Sequence, residues 1–307
     1  MARQHTYDVD QLKARVETAK AALDAQLNAL LDTEAWTETL RSMAVLGRTS
    51  IARFSFRNLM LLVSQRPEIH HAATFQAWRA LGRSVRKGEK AVHVLKPRFA
   101  KRATATQPAD DANKQLVGFS VLPLFALEQT DGAPLEPAVV PRDFDEPNTF
   151  AHTVEQLRTA ALASCPHVEA IEVRARREGD STGAYGWFNR ATKSIVVLTD
   201  TLPHQQFATL VHELAHAILH GDVDHHARAR KEVEAESTAF VVCHALGLDT
   251  ASFALPYVAT WANGDVEELA AAGENIRRAS MVILDALQPP QAAAEAGVGD
   301  DGAREAA

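Results

Sequence analysis

The sequence predicts an α+β fold in two domains, and three observations carry that reading. Apolar residues recur at spacings of three and four over residues 8–46, the pattern of amphipathic helices. The stretch "AVHVLKP" alternates as a strand does and follows a turn bracketed by Gly82 and Gly88. Residues 129–148 concentrate Pro, Gly and acids, and they separate this half from a second one with its own strands and helices. With 307 residues and 46% hydrophobic composition, the chain can bury a core in each half.

The elements follow in order. "VDQLKARVETAKAALDAQLNALL" places Leu12, Val16, Ala19, Leu23, Leu27 and Leu30 on one helical face. A second helix is expected at "TEAWTETLRSMAVL", and a short apolar one at "FSFRNLMLLVSQRP", stopped by Pro67. The strand "AVHVLKP" leads through a polar hairpin tip, "ATATQPADDANKQ", to a returning strand, "VGFSVLPLFALEQT". The expected division is a domain over 1–137, a linker over 138–148, a second domain over 149–288 and a disordered tail over 289–307. The second domain should open with "TFAHTVEQLRTAALAS" as a helix and "EAIEVRAR" as a strand. A strand pair around Asn189 and Thr192 and two helices, "TLVHELAHAILH" and "ARKEVEAESTAFVVCHALG", come next. Two more helices are expected near 252–261 and 265–287.

Composition excludes several classes. The two cysteines, Cys165 and Cys243, form no CxxC pair, which argues against a cysteine metal site and a disulfide framework. The first thirty residues are charged throughout and lack the apolar centre of a signal peptide. No apolar run reaches the ~18 residues a membrane span needs. A soluble, cytoplasmic protein with no membrane partner is expected.

The chemistry concentrates in "TLVHELAHAILH". His212 and His216, four apart on a helix, present two imidazoles on one face, able to share a metal ion. Glu213 lies beside that face, where it can act as general base on a water activated by zinc. Phe207, Leu210, Val211, Leu214, Ala215, Ile218 and Leu219 make the helix apolar nearly all round, so it should be buried. Buried imidazoles and a buried carboxylate need partners, and a metal supplies one. The apolar strand "SIVVL" should lie beside this helix and could pair with an extended substrate.

A third ligand should come from "KEVEAESTAF". Glu236 ranks first, because it is in phase with Ala239, Phe240 and Cys243 on a core-facing stripe. Glu234 ranks second, in phase with Thr238, Val241 and Ala245. Glu232 ranks third, as a residue that could hydrogen-bond a ligand histidine. Tyr185, His220 and Tyr257 are the candidates for stabilising an oxyanion.

"HELAHAILH" followed by "EVEAESTAF" resembles the IrrE/ImmA-type zinc metallopeptidases over roughly residues 150–287. The resemblance implies a zincin-like domain with a zinc ion held by His212, His216 and Glu236, and Glu213 as base. The chain departs from the usual pattern at Ala215, where a glycine often precedes the second histidine.

The first half points to a polyanion. Between Arg79 and Arg102 lie nine basic residues against one acid, Glu89, a local net charge of +8 in a chain whose total is −7. Arg79, Arg83, Arg86, Lys87, Lys90, Lys96 and Arg98 are the expected phosphate contacts. Phe54, Phe56, Phe75, Trp78 and Phe99 are interleaved with the strip, and single-stranded nucleic acid is bound by such rings and cations together. Trp78 also fits a core position, since "FQAWRALG" has helical apolar spacing. The wording here resembles the N-terminal domain of ArdC-type antirestriction proteins over about residues 8–137. Asn58, Gln65, Pro67, Trp78, Gly82, Val85, Gly88, Lys90, Pro97, Phe125 and Gln129 match together. That resemblance implies single-stranded DNA as partner and a zincin-like domain attached.

The expectation is thus a DNA-binding, zinc-dependent peptidase that protects or regulates a mobile element, acting on a peptide or protein such as a DNA-bound regulator. Two alternatives stay open: a DNA-binding protein with a structural zinc, and a peptidase whose basic strip meets an acidic protein.

Overall fold

The computed structural model describes residues 9–47, 49–101, 114–134, 147–181, 183–222, 227–248, 262 and 264–287. The hairpin tip at 102–113, the linker up to residue 146, Tyr257 with the whole stretch 252–261 where a helix is expected, and the tail over 289–307 lie outside the described residues.

In chain order the elements are α1 (Val9–Ala29), α2 (Thr33–Leu46), α3 (Phe56–Gln65), β1 (Ala72–Ala73), α4 (Phe75–Ala80) and β2 (Ser84–Val85). Then come β3 (Val92–Lys101), β4 (Lys114–Ala126), β5 (Thr130–Asp131), α5 (Pro147–Ser164), β6 (Ala170–Arg174) and β7 (Gly186–Asn189). β8 (Ser194–Leu198), α6 (Pro203–His220), α7 (Arg228–Ala245) and α8 (Val266–Leu287) complete the order. Local chemistry sets several boundaries. Asp32 caps α2 by accepting from the Glu34 and Ala35 N–H groups at 3.0 Å, and Thr74 caps α4 at the Ala77 N–H. No helix among the described residues is long and apolar enough to cross a membrane.

The chain divides into two compact units. The first holds α1 and the elements from residue 49 to β5. The second holds α2 and everything from α5 onward. The segment 1–137 therefore lends one helix, α2, to the other unit, where it packs on α7 and buries Trp36, Leu40 and Met43.

In the first unit, β4 is the central strand of the order β1-β4-β3, and β2 pairs with β5 separately. The core is built from Ile51, Phe56, Leu59, Leu62, Ile69, Trp78 and Leu124. α3 lies along the outer edge of β3 and pairs with it through side-chain amides. Asn58 donates to the Leu95 carbonyl and accepts from the Leu95 N–H, both at 2.9 Å, and Gln65 does the same for His93 at 2.8 Å. Two residues seven apart on one helix face thus satisfy two strand residues that share one side of the strand backbone. Buried Gln129 is a third clamp: its amide accepts from the Ala126 N–H and donates to the Lys90 carbonyl, both at 2.8 Å. Trp78 is a core residue whose indole N–H reaches the Phe125 carbonyl at 2.8 Å. Gly88 has φ +91°, the left-handed backbone that the "KGEK" turn requires.

In the second unit, β8 lies between parallel β6 and antiparallel β7. "SIVVL" is therefore the central strand, with both backbone edges taken, and cannot add a substrate strand as expected. α6 packs over this sheet and against α5 and α7, with Phe207, Leu210, Val211 and Leu214 fully buried.

Replacing Gln129 by Met keeps the side-chain volume but orphans the Ala126 N–H and the Lys90 carbonyl. Urea unfolding should show a loss of roughly 1–3 kcal/mol for each orphaned buried group. Lys87→Ala, on the exposed face of the same turn, should stay within about 0.5 kcal/mol of wild type.

Candidate functional site

α6 starts on Pro203, whose missing N–H is no loss at the first helical position, and Gln205 folds back to accept from the Leu202 N–H at 3.3 Å. Two turns on, His212 and His216 face α7 from the half-buried rim of the core. Their rings meet edge to face with centroids 4.8 Å apart, and their Nε2 atoms are 3.1 Å apart. Glu232, at the start of the second turn of α7, brings Oε2 to 3.6 Å from His212 Nε2 and 3.7 Å from His216 Nε2. One ligand atom from each of His212, His216 and Glu232 lies within 4.8 Å of the others. Two imidazole nitrogens and one carboxylate oxygen converging in this way are a donor set that fits zinc.

Glu236, the expected ligand, sits elsewhere on the histidine. Its Oε2 is 3.1 Å from His212 Nδ1, the nitrogen facing away from the cluster. It holds the ring rather than converging with it, so the expected roles of Glu232 and Glu236 are exchanged in the geometry. Side-chain exposure is 48% for Glu232, 30% for Glu236 and 0% for Glu234, and a centre that must be reached from solvent lies on the wetter side of the stripe.

Glu234 serves the fold. Its Oε1 accepts from Arg230 Nε at 3.0 Å and from Asn275 Nδ2 at 2.9 Å, while Oε2 lies 3.4 Å from His220 Nε2. Arg230 also pairs with Glu268. This buried group ties α6, α7 and α8 together and takes His220 out of the list of oxyanion candidates. Tyr185, just before β7, is exposed.

Electrostatics prepare the cluster for a cation. Burial pulls the His212 imidazole down, but the Glu232 and Glu236 carboxylates outweigh it and raise the group to about 10. Burial and the neighbouring His212 charge press His216 down to about 4. Glu232 is held below the usual carboxylate range by its contact with His212. Glu213 is buried, and desolvation raises it, against the pull of His212 and a hydrogen bond from the Phe188 backbone N–H. A carboxyl raised in this way is suited to taking and returning a proton. Burial raises the Cys243 and Cys165 thiols, which keeps both protonated.

Gly186 is a residue that motif reading passed over. A Cβ there would stand 2.6 Å from Thr209 Cγ2, 2.7 Å from the Val196 carbonyl and 3.6 Å from Glu213 Cγ. Only glycine lets β7 come this close to α6. The signal was present in "AYGWFN", but its partner Thr209 is more than twenty residues away.

The basic residues of the first unit separate into two groups. Arg83 is buried, with Nε donating to Thr130 Oγ1 at 2.8 Å and further bonds to the Thr130 and Ala133 carbonyls. Arg86 pairs with Glu89 at 2.9 Å and Asp131 at 3.5 Å and reaches the Glu128 carbonyl. Both lock β2 to β5; Arg83 is buried in doing so, whereas Arg86 stays exposed. Arg79, Lys87, Lys90 and Arg98 are exposed, and Lys96 is half-buried on β3.

A two-domain α+β protein with a His-His-Glu centre and a basic first unit is the class this geometry defines. Residues 17–123 match the N-terminal domain of anti-restriction factor ArdC, and residues 168–261 match the IrrE N-terminal-like domain. The chain joins an ArdC-type N-terminal domain to an IrrE-type, metallopeptidase-like domain. Among curated proteins, the uncharacterized protein pXO2-81 of Bacillus anthracis is 29% identical over 255 residues, covering 71% of this chain and 42% of that protein. The chain thus spans about two fifths of that relative's length. Among solved structures, the metal-free antirestriction ArdC protein from plasmid R388 is 20% identical at a TM-score of 0.45, covering 76% of this chain and 85% of that one. The Mn(II)-bound form of the same protein is 19% identical at a TM-score of 0.44 over the same shares.

Glu234→Ala would leave the buried Arg230 guanidinium with Glu268 alone and take the shared acceptor from Asn275. The second unit should lose roughly 3–5 kcal/mol, read as a fall in its thermal midpoint, whereas Glu236→Ala at the rim should cost far less.

Proposed function

We propose that this chain is a DNA-binding antirestriction protein whose first unit takes single-stranded DNA and whose second unit is a zinc-dependent metallopeptidase. The observation that carries the peptidase reading is the convergence of His212 Nε2, His216 Nε2 and Glu232 Oε2 beside buried Glu213. His212, His216 and Glu232 would hold the ion, and Glu236 would fix the His212 ring through Nδ1. When bound, zinc would supply Lewis-acid activation of the attacking water and of the scissile carbonyl.

The remaining steps belong to side chains. Glu213 accepts the proton of the attacking water on its carboxylate and returns it to the departing amine. The Phe188 N–H orients that carboxylate. β7, the edge strand beside Glu213, is where an extended peptide would add by strand pairing. The substrate class is therefore a flexible protein segment, such as one of a DNA-bound regulator.

The DNA reading rests on the ArdC-type domain and on Arg79, Lys87, Lys90, Lys96 and Arg98, the cations that the fold leaves on or near the surface. A cytoplasmic setting and a role in protecting or regulating a mobile element follow from the same reading.

Metal content per chain, measured on zinc-supplied protein, tests the centre. One zinc is expected in the wild type, none in His212→Ala or Glu232→Ala, and an affinity lower by roughly 10–100-fold in Glu236→Ala. Glu213→Gln should keep the metal and lose peptide hydrolysis. Full zinc in Glu232→Ala, or no zinc in folded wild type, would overturn the assignment.

A further inference from the structure

The β3–β4 ribbon changes character along its length. Near the core it carries buried Val92, Val94, Leu95 and Leu124. Further out, Phe99 is 39% exposed, Leu116 49%, Val117 57% and Phe119 37%. Four of the ten large hydrophobic side chains exposed among the described residues thus sit on one stretch of ribbon. Exposed apolar surface gathered in this way marks a binding face rather than scattered solvent contacts.

The register sorts the faces. Phe119 stands opposite Pro97, and Phe99 opposite Leu116, so both rings lie on the same side. Lys96 and Arg98 alternate onto the other side, opposite Ser120 and Gly118. The register shifts between Arg98 and Phe99, which leaves Val117 as the extra residue of a bulge. Gly118 beside it has φ +142°. A bulge increases the local twist, and a ribbon is one layer thick, so a chain crossing its edge meets both faces.

Charge selects the occupant. The two strands contain Lys96, Arg98, Lys101 and Lys114 and no Asp or Glu. A second copy would bring this cationic ribbon against its own like charge. An acidic protein would satisfy the cations but has no systematic use for two exposed rings. Single-stranded nucleic acid has use for both, since its bases present flat apolar faces at regular intervals beside a line of phosphates. A duplex hides those faces in its own stack.

We propose that Phe99 and Phe119 form a base-stacking platform on the β3–β4 ribbon, with Lys96 and Arg98 holding the phosphates that pass over its edge. The assignment rests on the single-stranded DNA reading of the first unit. It predicts binding that tolerates any sequence and uses rings that carry no part of the core.

The test uses the full chain and a single-stranded oligonucleotide of thymidines with one 2-aminopurine, a base whose fluorescence is quenched when it stacks. Wild type should bind and quench. Phe99→Ala and Phe119→Ala should each weaken binding between roughly fivefold and a hundredfold. The double variant should lose the quenching, and Phe99→Trp combined with Phe119→Ala should keep it. The salt slope should survive in the Phe variants and fall by about 1.4 in Lys96→Gln/Arg98→Gln, which removes two phosphate contacts. Unchanged melting temperatures would establish that the exposed substitutions leave the fold intact. Wild-type affinity and quenching in the double variant would overturn the platform while leaving single-stranded DNA binding in place. Failure of the wild type to bind at low salt would instead overturn the underlying reading. Self-association of the wild type that the double variant abolishes, without DNA, would overturn it in favour of a contact between copies.

Discussion

The second unit is organised by one constraint: α6 is too apolar to stay out of the core, yet it carries His212, Glu213, His216 and His220 along its length. Each of these must find a partner that burial does not take away. α7 supplies them in three registers. Glu232 meets both Nε2 atoms, Glu236 meets His212 Nδ1, and Glu234 meets His220. Glu232 and Glu236, four apart, share one face of α7, while Glu234 between them points to the other side, which keeps a rim centre distinct from a buried tie. The acids raise His212 against its burial, whereas burial and the His212 charge lower His216, since one positive charge suits the cluster and two do not.

The first unit solves a different problem with a related device. A short sheet has edges, and an exposed edge invites pairing with other chains. Asn58 and Gln65 close the outer edge of β3 from a helix, and Gln129 closes a turn from within the core. A side-chain amide carries both donor and acceptor groups, so one amide can satisfy the N–H and the C=O of a backbone position together. The clamps stop at Leu95, and beyond that point the ribbon carries exposed rings and cations instead of buried apolar residues.

The fold class and the helices were legible because their apolar spacing is long and regular, and the pair His212 and His216 because a helix brings i and i+4 together whatever surrounds it. The identity of the third acid was not legible. Glu232 and Glu236 share a helix face, and what separates them is which nitrogen of the His212 ring each one meets, a matter of how α7 slides along α6. The burial of Arg83 was not legible for a parallel reason. Composition counts every cation as a phosphate contact, but a guanidinium beside free carbonyls such as those of Thr130 and Ala133 is equally suited to closing a turn. α2 was legible as a helix and not as a member of the second unit, because nothing in its own residues names α7 as the surface that covers Trp36.

Gly186 shows how the site constrains the sheet as well as the helices. Desolvation is what raises Glu213, and desolvation needs a close wall. That wall is β7, brought against Thr209 and Glu213 by the missing side chain at Gly186 and fixed there by the Phe188 N–H. The residue that tunes the base and the strand that would present a peptide to it are thus one element. Any substitution that widens this contact moves both together, so the acidity of Glu213 and the placement of a peptide beside it are coupled by construction.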